Sequence, residues 1–192
     1  MTVKLLLSLL VLLLSGCVTT PGGDIHYYLL TPTTPAAPSS ARTNLSVGIG
    51  PVELPEYLSR PYIFTQTGNT QLKSHRQHRW AGSLDNNFTD TLAAEVGLQL
   101  HQRHIEIYPW DRPGAVDRQV VVHVTRFIAV GRNVHLDASW QVLDRQGEKR
   151  GAASARLQKN LPAQASADDF DAIVTAMSEL VGELAERIAA SL

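Results

Sequence analysis

The sequence predicts an α+β domain, a mixed and largely antiparallel sheet with two helices packed on it. Three observations carry the prediction. Over residues 134–142 apolar and polar residues alternate strictly. Val134, Leu136, Ala138, Trp140 and Val142 fall on one side, His135, Asp137, Ser139 and Gln141 on the other. Period two with one polar face marks a half-exposed antiparallel strand. Over residues 170–188 the apolar positions (Phe170, Ile173, Val174, Met177, Leu180, Val181, Leu184, Ile188) recur at three and four instead, which is a helix with one buried stripe. A similar stripe, Leu84, Phe88, Leu92, Val96 and Leu100, lies between two groups of strand-like segments. The order strands, helix, strands, helix suits helices layered on one sheet.

Taken in order, the chain begins with residues 5–13, apolar except for Ser8, preceded by Lys4 and the α-amino group. A positive end, a short apolar stretch and small residues after it describe a secretory signal, too short to span a bilayer as an anchor. Residues 18–24 are small, polar and contain Gly and Pro, so they read as a leash. From Cys17 to Ile25 the chain reaches at most about 28 Å. Residues 25–30 have strand character. Residues 31–43, with Pro32, Pro35 and Pro38 among Ala, Ser and Thr, predict an extended, exposed connector.

Leu45, Val47 and Ile49 alternate and are expected to share one face of a strand that Pro51 and Pro55 then stop. Residues 58–61 read as a short turn. Residues 62–67 form a second strand, and Gly68-Asn69 turns it into a third at 71–76. Ser83 is a plausible N-cap for the first helix. Residues 105–108 look like a strand closed by Pro109. Residues 118–130 are strongly strand-like, with Val120, Val122 and Val124 on one side. Gly131-Arg132-Asn133 turns the chain back into the alternating stretch. Gln146-Gly147 turns again, into a weaker strand at 152–158. Ser166-Ala167-Asp168-Asp169 is a fair capping sequence for the last helix.

Composition narrows the function. Without Lys4 the chain after residue 16 carries 16 basic and 18 acidic residues, and this overall balance indicates neither nucleic acid nor an anionic surface as partner. A chain of this length buries a proper core without a staple, and Cys17 is the only cysteine, so no disulfide is expected. No nucleophile elbow or phosphate loop occurs. His135, Asp137 and Ser139 line one strand face, but side chains two apart on a strand lie about 7 Å from one another, too far for a nucleophile and its base. His75 and His78, three apart on a strand, are expected on opposite faces, and His101 and His104 straddle a helix end. These read as surface histidines, and no metal site or catalytic residue is expected.

Two motifs resemble known families. Leu14-Ser15-Gly16-Cys17 resembles the lipobox of bacterial lipoproteins, which implies a signal peptide over 1–16, a diacylglyceryl and acyl (palmitate-type) modification of Cys17, and no other cofactor. In such lipoproteins an Asp after the Cys retains the protein at the inner membrane. Val18 therefore implies the outer membrane, with the domain facing the periplasm. Further on, Val47-Gly48-Ile49-Gly50-Pro51-Val52-Glu53-Leu54-Pro55-Glu56-Tyr57-Leu58-Ser59-Arg60-Pro61 resembles the signature of the ABC-type transport auxiliary lipoproteins, the PqiC-like family. Arg79-Trp80-Ala81-Gly82-Ser83-Leu84 resembles it too, although many members have an acidic residue and Pro where Gly82 and Ser83 stand. Tyr27-Tyr28-Leu29-Leu30 and Tyr108-Pro109-Trp110 also fit.

The resemblance spans residues 25–192 as one domain and implies a fold similar to the TolB N-terminal domain. It implies a non-enzymatic subunit of an intermembrane lipid transport system that supports envelope integrity. The expected partners are a periplasm-spanning MCE-domain protein and an inner-membrane subunit, met by a homo-oligomeric ring. The rival reading is an outer-membrane assembly lipoprotein serving a β-barrel or lipopolysaccharide export. Contact candidates are Leu54, Tyr57, Leu58, Arg60 and Trp110. Two readings stand for them. The prolines and glycines of 48–61 shape a bend or leave a rigid edge for a neighbour, and Trp110 either folds over the domain or is kept for a partner.

Overall fold

The computed structural model describes residues 23–35, 45–101, 105–112 and 114–192. The lipobox with Cys17, most of the leash, the second half of the Pro-rich connector and His104 lie outside the described residues. The spine of the sheet is β6 (Arg118–Val130), whose Val120, Val122 and Val124 are at most 1% exposed. Three neighbouring β-branched residues on one face of a long strand suit a buried central position. Along one edge β7 (Asn133–Asp144) pairs antiparallel over nearly its full length, and β8 (Lys149–Asn160) extends the ladder.

The other edge of β6 is shared by two strands. β2 (Val47–Glu53) runs parallel to its first half, with β5 (Glu106–Ile107) parallel beyond. β3 (Tyr62–Thr67) pairs parallel with only Ala129 and Val130, followed by antiparallel β4 (Gln71–Trp80) and parallel β1 (His26–Tyr28). The sheet therefore forks at β6. The long ladders are antiparallel and the four short pairings are parallel, which makes a mixed sheet.

α1 (Leu84–Gln99) and α2 (Phe170–Ala189) cover one face of the sheet. Phe88 of α1 meets Phe127 of β6 edge to face at 5.3 Å, and Ile173, Leu180, Leu184 and Ile188 of α2 are fully buried. Fully burying such a side chain contributes about 1.5–3 kcal/mol. Both caps form as expected: Ser83 accepts from the Asn86 N–H and Asp169 from the Ala172 N–H. Asp144, 7% exposed, closes the β7–β8 turn by accepting from the Gln146 and Glu148 N–H groups and from Arg150. Burial alone would raise its carboxyl, but these donors outweigh it and hold the group below the ordinary carboxylate range.

Several boundaries differ from expectation. β2 does not stop at Gly50; it continues to Glu53 through a bulge between Ile49 and Val52, where Pro51 needs no ladder partner. Leu45 precedes the strand and is 37% exposed, so only Val47 and Ile49 of that trio reach the core. β8 spans twelve residues, because pairing with β7 overrides its weak propensity. β4 extends to Trp80 through an irregularity in which Tyr62 lies opposite Arg79 while Ile63 lies opposite His75.

Where β2 leaves β6 and β3 has not yet joined it, residues 54–61 swing out through a 3-10 turn, Glu56–Ser59. Tyr57 fills the gap. The Phe127 N–H donates to its hydroxyl at 3.2 Å, and that hydroxyl donates to the Phe127 carbonyl at 3.3 Å. One side chain stands in for an absent strand. Tyr57→Phe is expected to cost about 1–3 kcal/mol by leaving both backbone groups unpaired, read from the urea midpoint; a shift within experimental error would remove Tyr57 from this role.

Candidate functional site

Two of the signature segments, 47–61 and 108–110, distant in sequence, meet at one corner. The Trp110 ring lies over Gly48, so close that a Cβ there would sit 2.7 Å from ring atom Cζ3. Gly50 has φ +118° and a Cβ on it would come within 2.8 Å of Tyr108 Cβ. Both glycines are needed for this approach, one for space and the other for space and backbone conformation. The Tyr108 N–H donates to the Ile49 carbonyl, Gln119 Nε2 donates to the Gly50 carbonyl, and the rings of Tyr108 and Trp110 cross edge to face at 5.3 Å. The peptide bonds before Pro51 and Pro109 are both cis.

Beside this corner Gly50, Pro51, Val52, Asp85, Ile107 and Tyr108 help line an open cleft of about 360 Å³. Ile107 and Tyr108 remain 39% and 47% exposed. The arrangement has no nucleophile and base in contact. It offers a partly apolar edge beside the polar lining of the cleft.

The expected contact residues separate by burial. Leu58 is 2% exposed and packs in the core, so its side chain offers no surface. Leu54 and Tyr57 are half-buried against that core, with the Tyr57 ring edge-on to Phe64. Arg60 is exposed, and Trp110 is half-buried over Gly48. The bend is thus internal architecture, while Arg60 and the Tyr108 edge face outward. Trp140 is a core residue, its indole N–H donating to the Ser191 hydroxyl.

The histidines correct an expectation. The irregularity in β4 brings His75 and His78 to the same face, 6.4 Å apart, where both pack on Phe170 at the start of α2. Three residues of plain strand would have separated them; the slip removes that parity. His26 stacks on His78, and the Tyr28 hydroxyl is hydrogen-bonded to His78 Nδ1 at 2.8 Å. Among the described residues no group of three or more His, Cys, Asp or Glu could hold a metal ion.

Burial lowers both imidazoles. Lys73 adds to this at His75 and His26 at His78, with Asp168 and Asp171 opposing. The folded chain thus binds fewer protons here than the unfolded one. Their contribution is complete above the ordinary imidazole pKa of about 6.5 and is lost as pH falls below it. The urea midpoint should therefore drop from pH 7.5 to 5.5, and His78→Phe should flatten that drop; an unchanged slope would separate these histidines from acid sensitivity.

A further set of residues was not anticipated. Residues 30–34 lie in the groove between the helices, held by side chains on their backbone. Asn87 accepts from the Leu30 N–H at 2.7 Å and donates to its carbonyl at 3.1 Å; Thr91 also donates to that carbonyl. Ser178 accepts from Thr31 N–H, fully buried Glu95 from Thr33 and Thr34 N–H, and Gln99 donates to the Thr34 hydroxyl. The start of the Pro-rich segment is thus tied down rather than a free connector. Its signal was available: Asn87, Thr91, Glu95 and Gln99 form a polar row at four-residue spacing, one position ahead of the apolar stripe.

No curated protein matches this sequence. Among solved structures the fold is similar to that of a Xanthomonas campestris protein, at 11% identity and TM-score 0.70, covering 86% of this chain and 95% of that one. It is likewise similar to an uncharacterized protein at 22% identity and TM-score 0.68, covering 87% and 97%. More distant is PelC from Paraburkholderia phytofirmans, solved as a dodecamer, at 11% identity and TM-score 0.46, covering 81% and 91%. At these identities the likenesses concern the fold alone. The sequence model of the ABC-type transport auxiliary lipoprotein component matches residues 27–189, from β1 to the last turn of α2, and the chain belongs to that family.

Proposed function

We propose that this chain is a lipid-anchored, non-enzymatic subunit of an intermembrane lipid transport system, docking the periplasmic tube of an MCE-domain protein at the outer membrane. The observation that carries the reading is the family match across nearly the whole folded chain. The lipobox ending in Cys17 supplies the anchor and Val18 the outer-membrane address. The mechanism is positional. Acyl chains fix the subunit, residues 18–24 set its height, and a homo-oligomeric ring presents its rim to the tube. Arg60, with the Ile107 and Tyr108 edge, supplies outward contact surface, while Leu54, Tyr57 and Leu58 hold that edge rigid so that little entropy is lost on association.

The full-length protein, tagged at its C-terminus and purified from envelopes in mild detergent, tests this. The expected result is co-purification of an MCE-domain protein and an inner-membrane subunit, with a mass that is a multiple of one chain. A strict monomer, or capture of a β-barrel or lipopolysaccharide export complex instead, would overturn the reading.

A further inference from the structure

Along the edge strand β1 and the residues flanking it, side chains alternate between two environments. Tyr28 and Leu30 turn inward, against His78 and the core. Ile25, Tyr27 and Leu29 turn outward and are 46%, 62% and 53% exposed. Single exposed apolar residues need no explanation, but three in register on one ridge do. The neighbouring strand β4 carries Lys73, Arg76 and Arg79 and no acidic residue. Arg79 is the direct register partner of Tyr27, and its guanidinium stands 5.3 Å over the Tyr62 ring. Asp24 immediately precedes the ridge. The other acids in reach, Asp168, Asp169 and Asp171, act on His75 and Tyr28 from the helix-covered side.

We infer that this ridge is a membrane-contact surface, with Ile25, Tyr27 and Leu29 seated among anionic lipid headgroups and Arg79 beside them. The inference deepens the proposed function and rests on its lipid anchor. Two arguments select lipid as the occupant. The first is tether length: Ile25 is eight residues from Cys17, so an anchored chain holds the ridge within about 28 Å of the acyl chains. At such effective concentration a weak contact suffices, because the anchor has already met the cost of association. The second is chemistry. An aromatic with a polar tip, flanked by aliphatics and cations, suits the headgroup boundary. Three side chains, of which only Tyr27 lies within β1 itself, fall well short of the roughly 800 Å² per partner that a stable protein contact needs.

The test uses the mature lipidated protein. Its only native thiol is spent on lipid, so Tyr27→Cys or Leu29→Cys introduces one labelling site for an environment-sensitive fluorophore. Ser154→Cys on exposed β8 serves as the reference. In vesicles of phosphatidylcholine and phosphatidylglycerol carrying a shallow nitroxide lipid, the probe at 27 or 29 should be quenched at least about three-fold more than at 154, as for a group about 5–10 Å into the interface. Equal quenching at all sites would overturn the inference while leaving the anchor intact. So would shielding from aqueous iodide without lipid quenching, the signature of a second copy on the ridge. An unmodified Cys17 by mass spectrometry would remove both the inference and the anchor beneath it.

Discussion

Cys17→Ala is expected to eliminate the protein from the outer-membrane fraction, leaving a soluble or uncleaved product. The effect should be close to all-or-none. Each buried methylene contributes about 0.8 kcal/mol, so one acyl chain binds marginally and three bind almost irreversibly. Among the described residues no helix is long and apolar enough to cross a membrane. The ridge on β1 adds a contact only once the anchor has brought it there. Separation of membranes on a density gradient, followed by immunoblotting, reads the outcome. Unchanged outer-membrane fractionation of the variant would sink the proposed anchoring and with it the positional mechanism.

Glu95→Ala should give the largest loss of folding stability among substitutions of polar residues, about 2–3 kcal/mol. Glu95 Oε1 accepts the Thr33 and Thr34 N–H groups and the Thr33 hydroxyl from a fully buried position between the helices. Removing the acceptor strands donors at about 1–3 kcal/mol each and opens a cavity. Water reaches the exposed Thr33 and reduces the sum. Against this, Glu95 Oε2 has no hydrogen-bond partner among the described residues, so its removal returns part of a desolvation cost. The three bonds outweigh the one orphan oxygen. Glu95→Gln, which keeps one carbonyl acceptor, should cost less than the alanine variant. Urea unfolding gives the magnitude and limited proteolysis at residues 29–35 gives the location. A Glu95→Ala protein as stable and protease-resistant as wild type would refute the role assigned to this clamp.

The clamp shows why part of the site stayed hidden. The row Asn87, Thr91, Glu95 and Gln99 is visible in the chain, but a polar row beside an apolar stripe ordinarily reads as the solvated flank of a helix. What it binds is chiefly backbone, which carries no sequence signal of its own. The same holds for Tyr57, whose partner is the peptide of Phe127. His75 and His78 mislead for a different reason. Strand parity is reliable only while pairing is regular, and no residue type announces the slip opposite Tyr62 and Ile63. Gly48 and Gly50 stood within the family signature, but only the fold shows that Trp110 and Tyr108 press against them.

Local periodicity by itself determined the two helices, their caps, the long antiparallel hairpins and the α+β class, because burial of one face imposes a 3.6- or 2-residue repeat on the chain. The lipobox and the signature around residues 47–61 were likewise readable as linear motifs. Only the tertiary structure decided the fork at β6, the parallel pairings, the histidine stack on Phe170 and the corner where Trp110 covers Gly48. Those depend on contacts between residues 50 or more apart, and no local pattern encodes which distant backbone will arrive to fill a vacant edge.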